Sequence, residues 1–134
     1  MRPARVVLDT SAYSHFRANH AVTVDLIATA EAVLLPTIVL GELEAGFRLG
    51  RRTEENRVTL ADFLAEPFVS VLEVSPEVAR YYGQMFAALR KAGTPIPTND
   101  IWIAASTVVA DAHLITFDAD FERVRALPRT VLQA

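Results

Sequence analysis

The sequence predicts an α/β domain in which helices cover both faces of a central, mostly parallel sheet. Three observations predict this fold class: short apolar runs of strand length, helical patterns between them, and start and stop signals at the junctions. Strands of a parallel sheet are buried on both faces, so they consist of continuous apolar runs. We therefore expect a three-layer α/β/α, Rossmann-like architecture.

The length and composition fit one compact domain, which we expect to span residues 1–134. The chain is 51% hydrophobic and 22% charged and carries a net charge of −3, which excludes a disordered chain and a globally basic nucleic-acid binder. Cysteine is absent, so disulfides and thiolate metal sites are excluded. No apolar run is long enough for a signal peptide or a membrane span, and we expect a cytoplasmic protein.

The first half of the chain is expected to hold two strands and four helices. In order, we predict a strand over 5–8, a helix over 12–19 capped by Thr10 or Ser11, a short helix over 25–30, a strand or a helix connection over 32–35, a helix over 37–49 and a helix over 53–67. Gly50 supplies the stop between the last two helices, and Glu54 and Glu55 favour the start of the second.

The second half is expected to add three strands and two helices. We predict a strand over 68–74, a helix from the Ser75 cap to Gly93, a rigid loop over 94–97, a helix from Asp100 to about Asp111 capped by Thr98 or Asn99, a strand over 114–116 and a last strand over 130–132. Since strands and helices alternate in this prediction, the sheet should be parallel.

Acidic residues stand where the predicted sheet would place a ligand. Asp9 ends the first strand, Asp118 follows the strand over 114–116, and Asp100 lies in the first turn of a buried helix. Ligand sites in parallel sheets form outside the carboxyl ends of the strands, so these three acids are expected at one edge. Glu42 lies on a helix that can pack beside them.

Carboxylates brought this close repel one another and require protons or a cation. Oxygen ligands without cysteine or paired histidine favour a hard ion, Mg²⁺ or Mn²⁺, and such sites serve phosphoryl transfer or phosphodiester hydrolysis. Each acid alone also has a structural explanation: Asp9 as a helix cap, Asp100 at a helix dipole, Glu42 as a solvated residue and Asp118 as a turn former.

Four motifs in order resemble the PIN-domain ribonucleases, and in particular the VapC toxins of type II toxin–antitoxin pairs. They are VLDTSA at 7–12, GELEAG at 41–46, TNDIWIAA at 98–105 and LITFDADF at 114–121. This resemblance covers almost the whole chain, and four ordered motifs are far more specific than one.

The resemblance implies an endoribonuclease whose acidic pocket holds Mg²⁺ or Mn²⁺ and cleaves single-stranded or looped RNA, whether transfer, ribosomal or messenger RNA. The implied acids are Asp9, Glu42, Asp100 and Asp118, with support from Thr10 or Ser11, from Thr116 and from Asp120. It also implies a homodimer and a VapB-like antitoxin that crosses the groove and offers an arginine to the acids, in competition with metal.

One position departs from the family pattern. Phe117 stands where the last motif commonly has a polar or basic residue, which leaves the choice of fourth acid open between Asp118, the preferred one, and Asp120.

Two other functions remain as alternatives. One is a catalytically weak module of the same fold that binds RNA or protein. The other is a phospho-acceptor domain with Asp9 as nucleophile, which the sequence disfavours because Ser11 stands where a phosphatase needs a second acid.

Several further residues are assigned no catalytic role. The three histidines lack metal-ligand spacing, and Glu44 should point away from Glu42 on its helix. The arginines of residues 48–57 fit an RNA backbone patch or a solvated helix face equally well.

Overall fold

A computed structural model describes residues 3–134 and shows one five-stranded sheet in the order β3-β2-β1-β4-β5. The strands are β1 (Arg5–Leu8), β2 (Ala32–Pro36), β3 (Val69–Leu72), β4 (His113–Thr116) and β5 (Arg129–Val131). Every neighbouring pair runs parallel, so the predicted α/β class is confirmed and the sheet is parallel throughout. The segment over 32–35, left open between strand and connection, is a buried strand.

Six α-helices and one short 3₁₀ helix connect these strands within residues 3–134. They are α1 (Thr10–Arg17), α2 (Ala21–Thr29), α3 (Thr37–Leu49), α4 (Thr53–Leu64), α5 (Pro76–Lys91), α6 (Thr98–Val109) and the 3₁₀ helix Ala119–Arg123. The α-helices come in pairs between strands, as in the predicted order of elements. None of these helices combines the length and apolar character needed to cross a membrane.

The core lies on the central strands and on α6. Val7 and Leu8 of β1 and Leu114 of β4 are fully buried, as their continuous apolar runs predict. Helix α6 buries Ile101 and Ile103 against this sheet, which explains why it is apolar almost all round. The first turn of α6 is thereby fixed relative to β1 and β4.

Two predicted caps are wrong. Helix α1 begins at Thr10, and its N-cap is Asp9, whose side chain accepts a hydrogen bond from the Ala12 N–H, instead of Thr10 or Ser11. Helix α6 begins at Thr98 directly after Pro97 and has no side-chain cap, so neither Thr98 nor Asn99 plays that part. Both helices start two residues earlier than predicted.

Candidate metal centre

Asp9 lies at the carboxyl edge of the sheet because β1 and β4 are neighbours in register. Leu8 pairs with Ile115, so the next residues along the two strands, Asp9 and Thr116, come together. The Thr116 hydroxyl donates to Asp9 Oδ2 over 2.5 Å, while Ser11 Oγ and the Ala12 N–H donate to Asp9 Oδ1 over 2.7 and 2.8 Å. Three donors therefore fix one carboxylate.

The surroundings of Asp9 act on its pKa in opposite directions. The residue is only 5% exposed, and this burial raises its pKa. Hydrogen bonds from Thr116, Ala12 and Ser11 lower the pKa by favouring the charged form, and the negative charge of Asp118 raises it again. The net effect is a raised pKa, which the three donors keep from rising further.

Asp100, Asp118 and Asp120, called here the aspartate group, converge at the carboxyl edge of the sheet. One ligand oxygen from each lies within 4.8 Å of the others. Asp100 comes from the first turn of α6, and the other two come from the turn after β4. The Asp118 side chain caps the 3₁₀ helix by accepting from the Asp120 N–H over 2.9 Å, which holds both residues in one turn.

The charges of this edge act most strongly on Asp100. Burial comes first, followed by the negative charges of Asp118 and Glu42, and together with smaller contributions from Asp9 and Asp120 they raise the pKa of Asp100 to about 7. Two unit charges this close repel by about 3 kcal/mol at an effective dielectric near 20. The site is thus strongly anionic when all its acids are ionised.

Glu42 belongs to the rim of this site. It lies on α3 and accepts hydrogen bonds from Thr10 Oγ1 over 2.7 Å and from Asn99 Nδ2 over 3.4 Å. These two donors come from the first turns of α1 and α6, so Glu42, inside α3, links the starts of two other helices. Its charge contributes to the raised pKa of Asp100 although it lies outside the aspartate group.

The structure thus brings the four predicted acids to one sheet edge, but in two environments. Asp100 and Asp118 belong to the aspartate group, whereas Asp9 and Glu42 are held by hydroxyl and amide donors beside it. Of the supporting residues, Thr10 contacts Glu42, and Ser11 and Thr116 contact Asp9. Asp120, predicted as an outer residue, lies within the group.

Sequence reasoning missed Asn99, which contacts Glu42. Its position directly before Asp100 was visible in the third motif, but the residue was considered only as a helix cap.

The arginines considered for an RNA patch are largely occupied by acids. Arg57 and Arg48 both donate to Glu44, and Arg52 lies 3.8 Å from Glu55. Glu44 points away from Glu42 toward α4, as predicted. These ion pairs join α3 to α4 and leave little unbalanced positive charge there.

The donor set at the sheet edge fits a hard divalent cation. Carboxylate oxygens from two separate elements converge, and the pKa of Asp100 is raised first by burial and then by the negative charges of the neighbouring acids. Fold and site together define a class: a parallel α/β domain with an acidic metal centre at the carboxyl ends of its central strands.

Comparison with known proteins specifies this class. The family model of the PIN domain matches residues 6–127. Ribonuclease VapC1 of Haemophilus influenzae (strain R2866) is 30% identical over 129 residues, which cover 90% of this chain and 92% of that protein. Ribonuclease VapC2 of Rickettsia felis is 27% identical over 109 residues, covering 81% and 78%. The chain therefore belongs to the PIN domain family and, within it, to the VapC ribonucleases.

Solved structures show the same fold. The crystal structure of VapBC2 from Rickettsia felis, bound to a promoter DNA fragment, superposes with a TM-score of 0.82 at 25% identity and covers 95% of this chain and 98% of that one. VapBC-1 from nontypeable Haemophilus influenzae gives a TM-score of 0.84 at 23% identity, covering 95% and 97%.

Proposed function

We propose that this chain is a toxin that hydrolyses RNA phosphodiester bonds with a divalent cation, Mg²⁺ or Mn²⁺, at the acidic sheet edge. The observation that carries the proposal is the aspartate group itself, whose oxygens converge within 4.8 Å while Asp100 has a pKa of about 7. The membership of this chain in the VapC ribonucleases supports the choice of RNA as substrate.

The residues that would hold the cation are Asp100 and Asp118, with Asp120 and Asp9 beside them. When bound, a divalent cation supplies neutralisation of the charge on the scissile phosphate and promotes ionisation of the attacking water. Asp9 contributes a carboxylate of fixed orientation, because Thr116, Ser11 and the Ala12 N–H hold both of its oxygens.

Glu42 is proposed to act on water at the rim of the site. Thr10 occupies its Oε1 and Asn99 reaches its Oε2 only at 3.4 Å, so the second oxygen retains capacity to accept a proton or orient a water molecule. In the reaction, water adds to phosphorus, one phosphorus–oxygen bond to ribose breaks, and the leaving oxygen takes up a proton.

The partner that we propose for this site is a VapB-like antitoxin. Structures with the same fold include toxin–antitoxin complexes from Rickettsia felis and Salmonella typhimurium. We further propose that the chain acts in the cytoplasm, where RNA and antitoxin are available, and that it assembles as a homodimer within a larger complex. Light scattering of the toxin alone and of the co-expressed pair would measure both assemblies.

The test is cleavage of total cellular RNA by the antitoxin-free protein. With Mg²⁺ or Mn²⁺ we expect discrete fragments, and with EDTA or in the Asp118→Asn variant we expect none. The control is Glu31→Gln, an exposed acid at the opposite edge of the sheet, which should cleave like the wild type. Equal fragments from Asp118→Asn, or no fragments from a folded wild type that binds metal, would contradict the proposal, and the second result would favour a binding module.

A further inference from the structure

Three aromatic rings, His15, His20 and Phe117, form a cluster called here the aromatic shelf. The His15 ring lies parallel to Phe117, with centroids 3.7 Å apart and planes 13° apart. The His20 ring stands edge-on to both, at 5.7 Å from His15 and 4.9 Å from Phe117.

The aromatic shelf is fastened to the residues that orient Asp9. His15 lies one helical turn after Ser11, with its Nδ1 atom 2.9 Å from the Ser11 carbonyl oxygen. The Phe117 N–H donates to Ser11 Oγ over 3.0 Å, and the same hydroxyl donates to Asp9. Phe117 also stands directly between Thr116 and Asp118 in the sequence. The shelf therefore borders the metal centre through a short chain of bonds.

The rings are held in place without being part of the core. All three are only half-buried, whereas Phe121, four residues after Phe117, is fully buried and anchors the turn. His20 Nδ1 lies 3.0 Å from the Thr23 hydroxyl, and its Nε2 lies 3.1 Å from the Gln133 carbonyl oxygen. A partly exposed aromatic plane of fixed orientation is a surface that a flat ligand can use without a large ordering cost.

The charge of the protein makes such a surface useful for RNA. The net charge is −3, and the arginines at positions 48, 52, 57 and 123 lie within 4 Å of carboxylates. Attraction between a basic surface and the RNA backbone is therefore weak near the α3–α4 pair and at Asp120. Stacking of bases on aromatic side chains provides affinity without positive charge, because every base has a π face.

We propose that the aromatic shelf stacks a nucleobase next to the scissile phosphate and thereby positions single-stranded RNA on the metal centre. This inference rests on the proposed nuclease function. To the single-stranded or looped RNA that the resemblance implies, it adds a role for Phe117 in holding an unstacked base beside the cleavage site. Paired RNA, whose bases are buried in the helix, would not reach the shelf.

The experiment measures each protein variant on both natural and abasic RNA. The RNA is an oligonucleotide of about twelve residues that spans a cleavage site mapped with the wild type, made with either its natural bases or an abasic residue at each position flanking the cut. Phe117→Leu keeps an apolar side chain but removes the ring. Phe68→Leu removes an exposed ring at the opposite sheet edge and is the matched control, and Phe117→Tyr keeps the plane.

The shelf predicts a specific pattern of KM. Phe117→Leu should raise KM by about tenfold on the natural RNA and leave it unchanged on one of the abasic RNAs, because the base is then already missing. Phe117→Tyr should restore the wild-type difference in KM between the natural RNA and that abasic RNA. Phe68→Leu should have the same KM values as the wild type. Equal losses on all RNAs, or no change in any KM, would overturn the inference.

Failure of the proposed nuclease function is visible separately. If the wild type cleaves no RNA, the same protein variants are compared by fluorescence anisotropy. The measured quantity is their binding to labelled oligoadenylate and to its abasic counterpart in the presence of Mg²⁺. If Phe117→Leu binds oligoadenylate more weakly than the wild type does but binds the abasic oligonucleotide equally well, the shelf is a base-binding surface. Unchanged binding of oligoadenylate would overturn the inference.

Discussion

The chain contains two acidic environments that differ in how their charge is balanced. On the α3–α4 pair, Glu44 accepts hydrogen bonds from Arg57 and Arg48, and hydrogen bonding to Arg57 is the main reason why its pKa is lowered. At the sheet edge, burial and neighbouring acids raise the pKa of Asp100 to about 7. Glu44, paired with two arginines, joins helices, whereas Asp100 and Asp118, for which residues 3–134 show no arginine partner, indicate a site for a cation, with Arg123 Nη1 lying 3.7 Å from Asp120 beside them.

The largest difference between the two environments should appear in RNA cleavage. Asp100→Asn preserves shape but removes a charge from the aspartate group, so cleavage should fall by more than about 100-fold, since even changes to outer residues of metal sites cost about 10- to 100-fold. Glu44→Gln should stay within about twofold of the wild type, because it breaks only partly exposed ion pairs. Initial rates on one RNA would measure both, and comparable losses would remove the distinction.

The next largest effect should come from the hydroxyl that orients Asp9. Thr116→Val removes the donor to Asp9 Oδ2 while keeping the side-chain shape, so cleavage should fall by about 10- to 100-fold. It should also lower the free energy of unfolding by about 1–3 kcal/mol, since a buried carboxylate loses a partner. Thr116→Ser retains the hydroxyl and should recover most of both. Equal effects of the two variants would show that only packing matters at this position.

The stability of the metal-free protein should depend on pH through Asp100. Its carboxyl group has a pKa of 3.8 when unperturbed and about 7 in the fold. Between these values the native state holds more protons than the unfolded state, so stability should fall as the pH rises through this window and level off above it. Asp9, whose pKa is also raised, acts in the same direction.

A divalent cation should reverse that loss. Above about pH 7 Asp100 is ionised and free to bind it, and a ligand at about one hundred times its dissociation constant stabilises by about 2.7 kcal/mol. Thermal melts with EDTA and with Mg²⁺ at about pH 5 and about pH 8 would show this, with Asp100→Asn as the comparison. A wild type whose stability in EDTA rises steadily over this range would contradict the assignment.

The smallest effect should be on the stability of the α3–α4 pair. Glu44→Gln removes the acceptor shared by Arg48 and Arg57, and its cost should be small and visible only at low salt. At about 1 M NaCl, melts of Glu44→Gln and of the Glu31→Gln control should coincide with the wild type. A Glu44→Gln loss that persists in high salt would mean that the pair contributes by packing instead of charge.

The sequence predicts the sheet and the location of the acids because both depend on local signals. Buried parallel strands appear as apolar runs, and the position of Asp9 and Asp118 after such runs places them at one edge. Cap assignments are less predictable: the sequence allows Asp9 to be either a cap or a ligand, and in the structure it caps α1 while lying at the carboxyl edge of the sheet beside the candidate metal centre.

The finer arrangement of the site depends on tertiary contacts that no spacing reveals. The turn after β4 brings Asp120 beside Asp118 because the 3₁₀ helix starts there, and Phe121 is buried beneath it. The contact between Asn99 and Glu42 joins residues 57 positions apart. The stack of His15 on Phe117 likewise joins two elements, and the spacing of the histidines in the sequence does not predict it.

The most direct test of the central claim is calorimetric titration of Mn²⁺ into the metal-free protein at about pH 8, with wild type, Asp100→Asn and Glu44→Gln compared. We predict binding to the wild type and to Glu44→Gln with the same affinity, and binding at least about tenfold weaker to Asp100→Asn. If Asp100→Asn binds Mn²⁺ as well as the wild type, or if Glu44→Gln loses it, the unbalanced acids at the sheet edge are not the metal centre.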